Sequence, residues 1–284
     1  MENNLKNTLT TLSRKSFSEF KDHVDNSIKL NDRSSIYMFN ILNQLLNDYS
    51  SQLGGDRFFY LEKLFYYSLE LKLLDFASNI LNKLKNQFGE EPKIKRLYAN
   101  FLEVDNNQEN LSKAIKIYKA LIKTNQEDKA TLRQYLSFMK LQCEPKAYID
   151  YVNEYLTVYM DDIDVWYELA DIYISSNNLN KAIFCLEEVI LHHPNNYRVY
   201  NKIGDLLASF NNSESANNAI KYYSQSALIK PTPAAFWGML YCLNIIYKAN
   251  KNLDEKLQKV YSIAKENIES MYNDIKVDNF FQFA

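Results

Sequence analysis

The chain has 284 residues and a formal net charge of −2, with 46% hydrophobic and 24% charged residues. These values are ordinary for a soluble folded protein and indicate no general affinity for nucleic acid or anionic lipid. Tyrosine (22) and phenylalanine (16) are plentiful, whereas glycine (5) and proline (5) are scarce. Because an all-β chain of this length needs many glycine and proline turns, we predict helices joined by polar loops.

The three cysteines, at positions 143, 185 and 242, are far apart and form no CxxC pair. This usage predicts free thiols in a reducing compartment rather than a disulfide framework. The N-terminal segment 1–15 lacks the apolar core of a signal peptide. The longest uncharged run, 231–247, is shorter than the ~20 apolar residues that a membrane span requires. We therefore predict a cytosolic or nuclear protein whose contact with any membrane is peripheral.

Two helices are predicted before any repeat, at about 16–30 and 34–49, within an N-terminal cap over 1–57. The second helix carries an apolar stripe of Ile36, Phe39, Leu42, Leu45 and Leu46. Apolar residues at this spacing line one face of a helix and bury it against a neighbour.

A repeat pattern is clearest in the segment 163–194. A first helix and a second helix are separated by Asn177 and Asn178, and Pro194 ends the second. The spacing matches the 34-residue tetratricopeptide (TPR) hairpin, in which small residues let two helices approach closely. The frame positions are Trp166, Leu169, Ala170, Tyr173, Ala182, Leu186 and Val189.

The same second-helix spacing recurs from Ala77, Ala114 and Ala219, and the last two are preceded by loops about three residues longer than usual. The segment 129–162 fits poorly, because Tyr148 stands where a small residue is usual, and we interpret it as a degenerate hairpin. We predict an all-α, right-handed α-solenoid of about five TPR hairpins over 58–230, with a concave face. Capping helices over 231–272 follow, near 234 and at about 253–272, and the tail 273–284 is a loose end or a docking peptide.

Catalytic and metal-binding motifs are absent from the sequence. Glycine spacing excludes a Walker phosphate loop, a GxSxG elbow and a GxGxxG fingerprint, and no histidine belongs to HExxH. Cys185 and His192 are seven residues apart, or ~10.5 Å along a helix, which is too far for two ligands of one zinc ion. We interpret Cys185 as a packed thiol and His192 with His193 as helix C-capping residues. No enzyme activity, cofactor or metal is expected.

The concave face of such an array is formed by positions 2, 5, 9 and 12 of each first helix. We predict a partner-binding groove at these positions that grades from basic to acidic and suits a protein segment of mixed charge. A clamp for a chaperone C-terminal carboxylate is disfavoured, because Asp164 and Glu168 stand where basic residues are needed. The groove residues are Arg96, Asn100, Arg133, Asp164, Tyr167, Asp171, Asn201 and Asp205.

A second charge pattern is a lysine stripe on the second helix that begins near Ala114. Its members are Lys113, Lys116, Lys119 and Lys123, and Lys93, Lys95 and Arg96 lie just upstream. We interpret the stripe as a solvated convex face, with an acidic partner or lipid headgroups as the alternative. Nucleic acid is not expected, because no aromatic residues are interleaved with the stripe.

Several stretches carry a family resemblance that spans roughly 15–250. They are "YSSQLGGDRFFYLEKLFYYSLELKLLDFA" (49–77), "KIKRLYANF" (93–101), "VNEYL" (152–156), "VWYELADIYISSNNLNKAIFCLEEVILHHPNNY" (165–197) and "AFWGMLYCLNII" (235–246). In these stretches the chain resembles the subunit 2 family of the ER membrane protein complex. The abundant asparagine and lysine suggest a divergent fungal member.

The resemblance implies a non-catalytic, hetero-oligomeric scaffold on the cytosolic face of the endoplasmic reticulum. The complex of that family is an insertase for tail-anchored and multi-spanning membrane proteins. The implied partners are cytosolic segments of its membrane subunits, notably subunits 3 and 5, with subunits 1 and 8 or 9 as further candidates. The alternative hypothesis is a different TPR adaptor, such as a co-chaperone or an RNA-processing scaffold.

Overall fold

The computed structural model describes residues 16–30, 34–104, 107–125, 128–272 and 276–277. Over these ranges the chain forms fourteen α-helices and no strand, so the predicted all-α class is confirmed. The helices are α1 (Phe17–Lys29), α2 (Ser35–Asp48), α3 (Arg57–Glu70), α4 (Leu74–Phe88), α5 (Pro92–Val104), α6 (Gln108–Thr124), α7 (Lys129–Gln142), α8 (Pro145–Val158), α9 (Ile163–Ser175), α10 (Leu179–His192), α11 (Tyr197–Ser209), α12 (Ser213–Ile229), α13 (Pro233–Asn250) and α14 (Glu255–Met271).

The helices fall into two compact units, 1–142 with α1–α7 and 143–284 with α8–α14. The division lies between α7 and α8, inside the segment 129–162 that the sequence predicts to be degenerate. The domain limits 1–57, 58–230, 231–272 and 273–284 stay a prediction. Most of the expected tail, and the whole segment 1–15, lie outside the described residues.

Local sequence signals explain where the predicted N-terminal helices begin. Ser16 Oγ accepts a hydrogen bond from the Glu19 backbone N–H at 3.4 Å, and Glu19 Oε2 accepts one from the Ser16 N–H at 3.2 Å. This reciprocal capping box satisfies two backbone donors that the first turn of a helix leaves open. Ser34 caps α2 in the same way by accepting from the Tyr37 N–H.

Left-handed residues make the tight turns inside four hairpins. Lys72, Asn177, Asn211 and Lys251 have φ between 53° and 58°, and each lies between the two helices of one pair. Asparagine tolerates this conformation better than most residues because its short polar side chain bonds locally. The predicted break at Asn177 and Asn178 is therefore confirmed as the turn between α9 and α10.

The TPR frame packs as its spacing predicts. Leu169, Ala170 and Tyr173 on α9 are buried, and so are Ala182, Leu186 and Val189 on α10. The Trp166 ring lies at the edge of this core, where its Nε1 donates to the Met160 carbonyl oxygen at 2.8 Å. Tyr148, the residue that departs from the pattern, is 2% exposed, and its hydroxyl donates to Glu168 Oε1 at 3.2 Å.

The second unit contains one unusually close packing arrangement. The Tyr223 ring on α12 lies against Gly204 of α11 and Gly238 of α13. A Cβ atom built on Gly204 would lie 2.7 Å from Tyr223 Cε1, and one on Gly238 would lie 2.4 Å from Tyr223 Cζ. Both glycines are therefore required by the ring that fills the space between the helices.

Among the helices that the structure describes, none is both long enough and apolar enough to cross a membrane.

Candidate functional site

All eight predicted groove residues lie on first helices of the repeats. Arg96 and Asn100 are on α5 and Arg133 is on α7, so these three belong to the first unit. The other five lie in the second unit, on α9 and α11. These five are Asp164, Tyr167, Asp171, Asn201 and Asp205.

Arg96 is held by residues at the beginning of α7. Its Nη1 donates to Asp128 Oδ2 at 2.6 Å and to Thr131 Oγ1 at 3.2 Å. Thr131 Oγ1 in turn donates to the same Asp128 oxygen at 2.6 Å. Asp128 Oδ1 accepts from the backbone N–H groups of Ala130 and Thr131, so Asp128 also caps α7. The charge of Arg96 is therefore compensated by the following repeat, within the first unit.

Asn100 belongs to a second polar network one turn further along α5. The Tyr118 hydroxyl on α6 lies 2.6 Å from Asn100 Oδ1 and 2.6 Å from Glu103 Oε1. A single hydroxyl hydrogen is shared between these two acceptors, since a tyrosine donates only one. Burial is the main cause that raises the pKa of the Tyr118 hydroxyl, followed by the charge of Glu103. The network places a carboxylate beside Asn100 that the sequence analysis did not include.

The same face of the first unit reaches α3 and α7. Gln134 Nε2 lies 3.5 Å from Tyr66 Oη, and Gln134 Oε1 is buried without a hydrogen-bond donor among the described residues. Arg133 is half-buried on α7, next to Gln134 in the chain. The sequence predicts a basic face here because of Arg96 and Arg133. In the structure the same face also carries several hydrogen-bond acceptors.

Glu103→Gln is expected to raise the free energy of unfolding at neutral pH. Burial raises the pKa of the Glu103 carboxyl, and the hydrogen bond from Tyr118 opposes this only in part. A carboxyl group whose pKa is higher in the folded state stabilises the fold at pH values below its unfolded pKa of about 4.3. This stabilisation is lost as the pH rises through the pKa of the folded state. Glutamine keeps an acceptor for Tyr118 and cannot ionise. Thermal unfolding followed by circular dichroism should show a gain at about pH 7 that disappears near pH 4.

The matched control is Glu266→Gln on α14, because Glu266 is exposed. It should change the unfolding temperature little at either pH. Equal stability of wild type and Glu103→Gln at neutral pH would contradict the burial argument.

In the second unit, α9 and α11 are joined by two polar contacts. Asn196 Nδ2 donates to the Tyr167 hydroxyl at 3.1 Å, and Lys202 Nζ donates to Asp171 Oδ1 at 2.6 Å. Burial, followed by the charge of Asp164, raises the pKa of the Tyr167 hydroxyl. Asp164 and Tyr167 therefore share one local environment at the beginning of α9.

On α11, Asn201 and Asp205 are one turn apart. Asp205 Oδ1 accepts from the Tyr223 hydroxyl at 2.6 Å, while the Asp205 residue as a whole is exposed. Asn201 Oδ1 is buried and has no hydrogen-bond donor among the described residues. A buried acceptor left in this state costs free energy. The first helices of the second unit thus expose carboxylates at Asp164, Asp171 and Asp205.

Cys185, His192 and His193 have structural positions, in the core and at a helix end. Cys185 is 1% exposed, and burial is the main cause that raises the pKa of its thiol to about 12. The prediction of a packed thiol is confirmed by this burial. The raised pKa favours the protonated thiol over the reactive thiolate. His192 ends α10 and His193 is its C-cap residue, as predicted. Within the described ranges, no three His, Cys, Asp or Glu side chains are grouped to hold a metal ion.

Comparison with known proteins identifies the family. The sequence profile described as "EMC2 TPR-like repeat domain" matches residues 73–217, about half of the chain. The chain belongs to this EMC2 family. The match includes all eight predicted groove residues, from Arg96 to Asp205, and the complete helix pairs α5–α6, α7–α8 and α9–α10.

Individual relatives agree with the EMC2 family. The chain is 29% identical over 230 residues to ER membrane protein complex subunit 2-B of Xenopus laevis, covering 81% of this chain and 76% of that protein. It is 26% identical over 254 residues to ER membrane protein complex subunit 2 of Dictyostelium discoideum, covering 85% and 77%. The expectation of a fungal source stays a prediction.

A solved structure supports the fold. The C-terminal part of a TPR repeat-containing protein from Cytophaga hutchinsonii superimposes with a TM-score of 0.55 and 16% identity, covering 93% of this chain and all of that one. Together with the EMC2 family match, this confirms the predicted TPR α-solenoid.

Several polar residues of the site were not predicted from the sequence. Among them are Glu103, Tyr118, Lys202 and Tyr223. A signal for two of them exists, since Tyr118 follows Ala114 and Tyr223 follows Ala219 by four residues in the two hairpins with extended loops. In both hairpins the tyrosine hydroxyl contacts a residue eighteen positions earlier on the first helix. The two hairpins with extended loops thus share one tyrosine contact.

Proposed function

We propose that this protein is a non-catalytic scaffold subunit of the ER membrane protein complex. The family match and the printed names of relatives support this assignment. The complex is an insertase for tail-anchored and multi-spanning proteins, and this subunit lies peripherally on the cytosolic face of the endoplasmic reticulum. Its role is to display a rigid helical surface that holds cytosolic segments of membrane subunits in register.

The binding surfaces of this proposal are the first-helix faces of the two units, with three groove residues on the first unit and five on the second. The partners are cytosolic segments of subunits 3 and 5, with subunits 1 and 8 or 9 as further candidates. Such segments become ordered on binding, as a helix in a groove or as an extended peptide. A scaffold of this kind needs no titratable nucleophile, and burial raises the pKa of the Cys185 thiol instead of activating it.

One observation carries the binding mode: the first helices of the second unit, α9 and α11, expose the carboxylates of Asp164, Asp171 and Asp205. Lys202 pairs with Asp171, and the Tyr223 hydroxyl donates to Asp205. A segment with lysine or arginine side chains complements this acidic surface. We therefore assign a basic stretch of the partner to the second unit.

The experiment replaces Asp171 by Lys and Asp205 by Asn in the full chain. Asparagine at 205 keeps an acceptor for the Tyr223 hydroxyl, so the hairpin is preserved. Affinity purification from detergent-solubilised membranes, with mass spectrometry of the partners, is expected to recover membrane subunits in yields reduced about tenfold or more.

The matched control makes the same change of charge away from the groove, at exposed residues of second helices. Glu154→Lys on α8 with Glu266→Gln on α14 should leave recovery unchanged. Equal recovery from the groove variant and the wild type would overturn the binding mode. Recovery of no membrane subunit by the wild type would overturn the assignment to the complex.

A further inference from the structure

A cavity lies on the first unit away from the predicted groove residues, between α4, α5 and α6. It has a volume of about 390 Å³ and is lined by the apolar side chains of Leu81, Ile94, Phe101 and Ile117. Tyr98 stands at its edge and is 43% exposed. A concave apolar cavity of this size accommodates a large side chain or a small ligand. The groove residues Arg96 and Asn100, on the same helix α5, are not part of its lining.

Two lysines and one carboxylate belong to the lining of this cavity. Lys85 and Lys95 lie 3.1 and 3.8 Å from the two carboxylate oxygens of Glu90. Outside the lining, Lys113 of α6 pairs with Glu109 at 2.7 Å; this hydrogen bond is the main cause that raises the pKa of Lys113, and Tyr98 makes a smaller contribution. Glu90 and Glu109 are themselves exposed.

The lysine ridge, defined as Lys113, Lys116 and Lys123, extends this positive surface along α6. At about 100° per residue these three side chains fall within about 80° around the helix, next to Ile117 in the cavity wall. Lys116 and Lys123 are exposed, and the described residues offer neither of them a carboxylate within ion-pair distance. The ridge therefore adds two exposed lysines that have no ion-pair partner among the described residues.

We propose that this surface is a second docking site, which binds an acidic protein segment by inserting one large apolar side chain into the cavity. The apolar walls desolvate the anchor, and the lysine ridge pairs with the acidic side chains that follow it along the segment. The site is distinct from the first-helix groove and has the opposite charge preference. One chain can therefore hold a basic segment at its groove and an acidic segment at this site.

The recessed shape of the apolar surface favours a protein segment over a lipid surface. Interfacial proteins insert protruding apolar side chains between lipid headgroups. Here the apolar side chains other than Tyr98 are at the bottom of the cavity, where Leu81 and Ile94 are buried and Phe101 and Ile117 are half-buried. A flat bilayer reaches the lysine ridge but not the cavity, whereas a side chain of a peptide reaches both.

The test uses the purified full chain and a fluorescein-labelled peptide of about twelve glutamate and alanine residues with one central phenylalanine. Fluorescence anisotropy is expected to show saturable binding that weakens as ionic strength rises from about 50 to about 300 mM. Replacing the peptide's phenylalanine by alanine, or its glutamates by lysines, should weaken binding about tenfold or more.

Two variants of the chain separate charge from the cavity. Lys116→Glu with Lys123→Glu reverses two of the three ridge charges, and Tyr98→Ser changes the cavity edge. Each variant is expected to weaken peptide binding about tenfold. The charge-matched control, Lys221→Glu with Lys256→Glu on exposed positions of the second unit, should bind as the wild type does. Circular dichroism confirms that all variants fold, as expected for exposed positions.

Three outcomes would overturn the proposal. One is equal affinity for the phenylalanine peptide and its alanine version, which would leave the cavity without a role. Another is unchanged binding by the ridge variant. The third is a chain that does not bind the peptide but binds vesicles containing phosphatidylserine, with binding that depends on the lysine ridge. This result would make the surface a lipid contact.

Discussion

Gly238→Ala is expected to lower the free energy of unfolding by about 1–3 kcal/mol, the usual cost of overpacking a core. The new Cβ would lie 2.4 Å from Tyr223 Cζ, and the aromatic ring is itself only 2% exposed. Alanine is the better helix former by roughly 0.5–1 kcal/mol, which offsets part of this cost. Urea unfolding followed by circular dichroism measures the difference.

A double variant identifies the cause of this loss. Tyr223→Leu removes the aromatic ring. Leucine occupies the matching frame position in other hairpins, at Leu81 and Leu186. The pair Gly238→Ala with Tyr223→Leu should therefore be more stable than the sum of the single changes predicts. Strict additivity, or an alanine variant as stable as the wild type, would show that the ring is not the obstacle.

Arg96→Met is expected to lower the free energy of unfolding by about 1–3 kcal/mol. The side chains of Arg96 and Asp128 are 16% and 22% exposed, so the carboxylate loses its partner in a poorly solvated place. Burial alone would raise the pKa of the Asp128 carboxyl, but the Thr131 hydrogen bond and the Arg96 charge hold it below its usual value.

The pH dependence of this loss follows from the sign of that pKa shift. A carboxyl with a lowered folded pKa contributes stability above its unfolded pKa of about 3.9, and this contribution is lost as pH falls through the folded pKa. The difference between wild type and Arg96→Met should thus be full at about pH 7 and shrink below about pH 4. Chemical unfolding at both pH values measures it.

Two controls accompany Arg96→Met. Lys93→Met breaks the 2.6 Å contact with Glu62, but the Lys93 side chain is 55% exposed, and its loss should cost little. Arg96→Met with Asp128→Asn should recover part of the stability, because no uncompensated carboxylate remains. An Arg96 variant no less stable than the Lys93 variant would show that the partly buried pair contributes nothing.

The helices and hairpin frames follow from short-range spacing. Trp166, Ala170, Ala182 and Pro194 predict one hairpin because a helix presents residues three and four apart on the same face. Tyr148 breaks the pattern by its size, yet it is accommodated, since its hydroxyl finds Glu168 on α9. Residue spacing within one helix therefore does not show that Tyr148 fits, because its partner Glu168 lies twenty residues away in the chain.

The predicted groove shows a similar division. Its eight residues lie on first helices because position within a repeat is a property of the local pattern. Their partners lie about one repeat away along the chain: Asp128 for Arg96, Asn196 for Tyr167, and Lys202 for Asp171. These partners change the surface, because Asp128 compensates the arginine that was expected to make one end basic.

The sequence by itself determined the all-α class, the TPR frames, the absence of catalytic motifs and the family, since all of these depend on residue type and on spacing within one repeat. The tertiary structure alone decided which charges are compensated, which acceptors are buried, and where an apolar cavity meets the lysine ridge. The physical reason is that neighbouring repeats contact each other through side chains about 29–35 residues apart. The packing of one helix pair on the next selects which of those side chains meet.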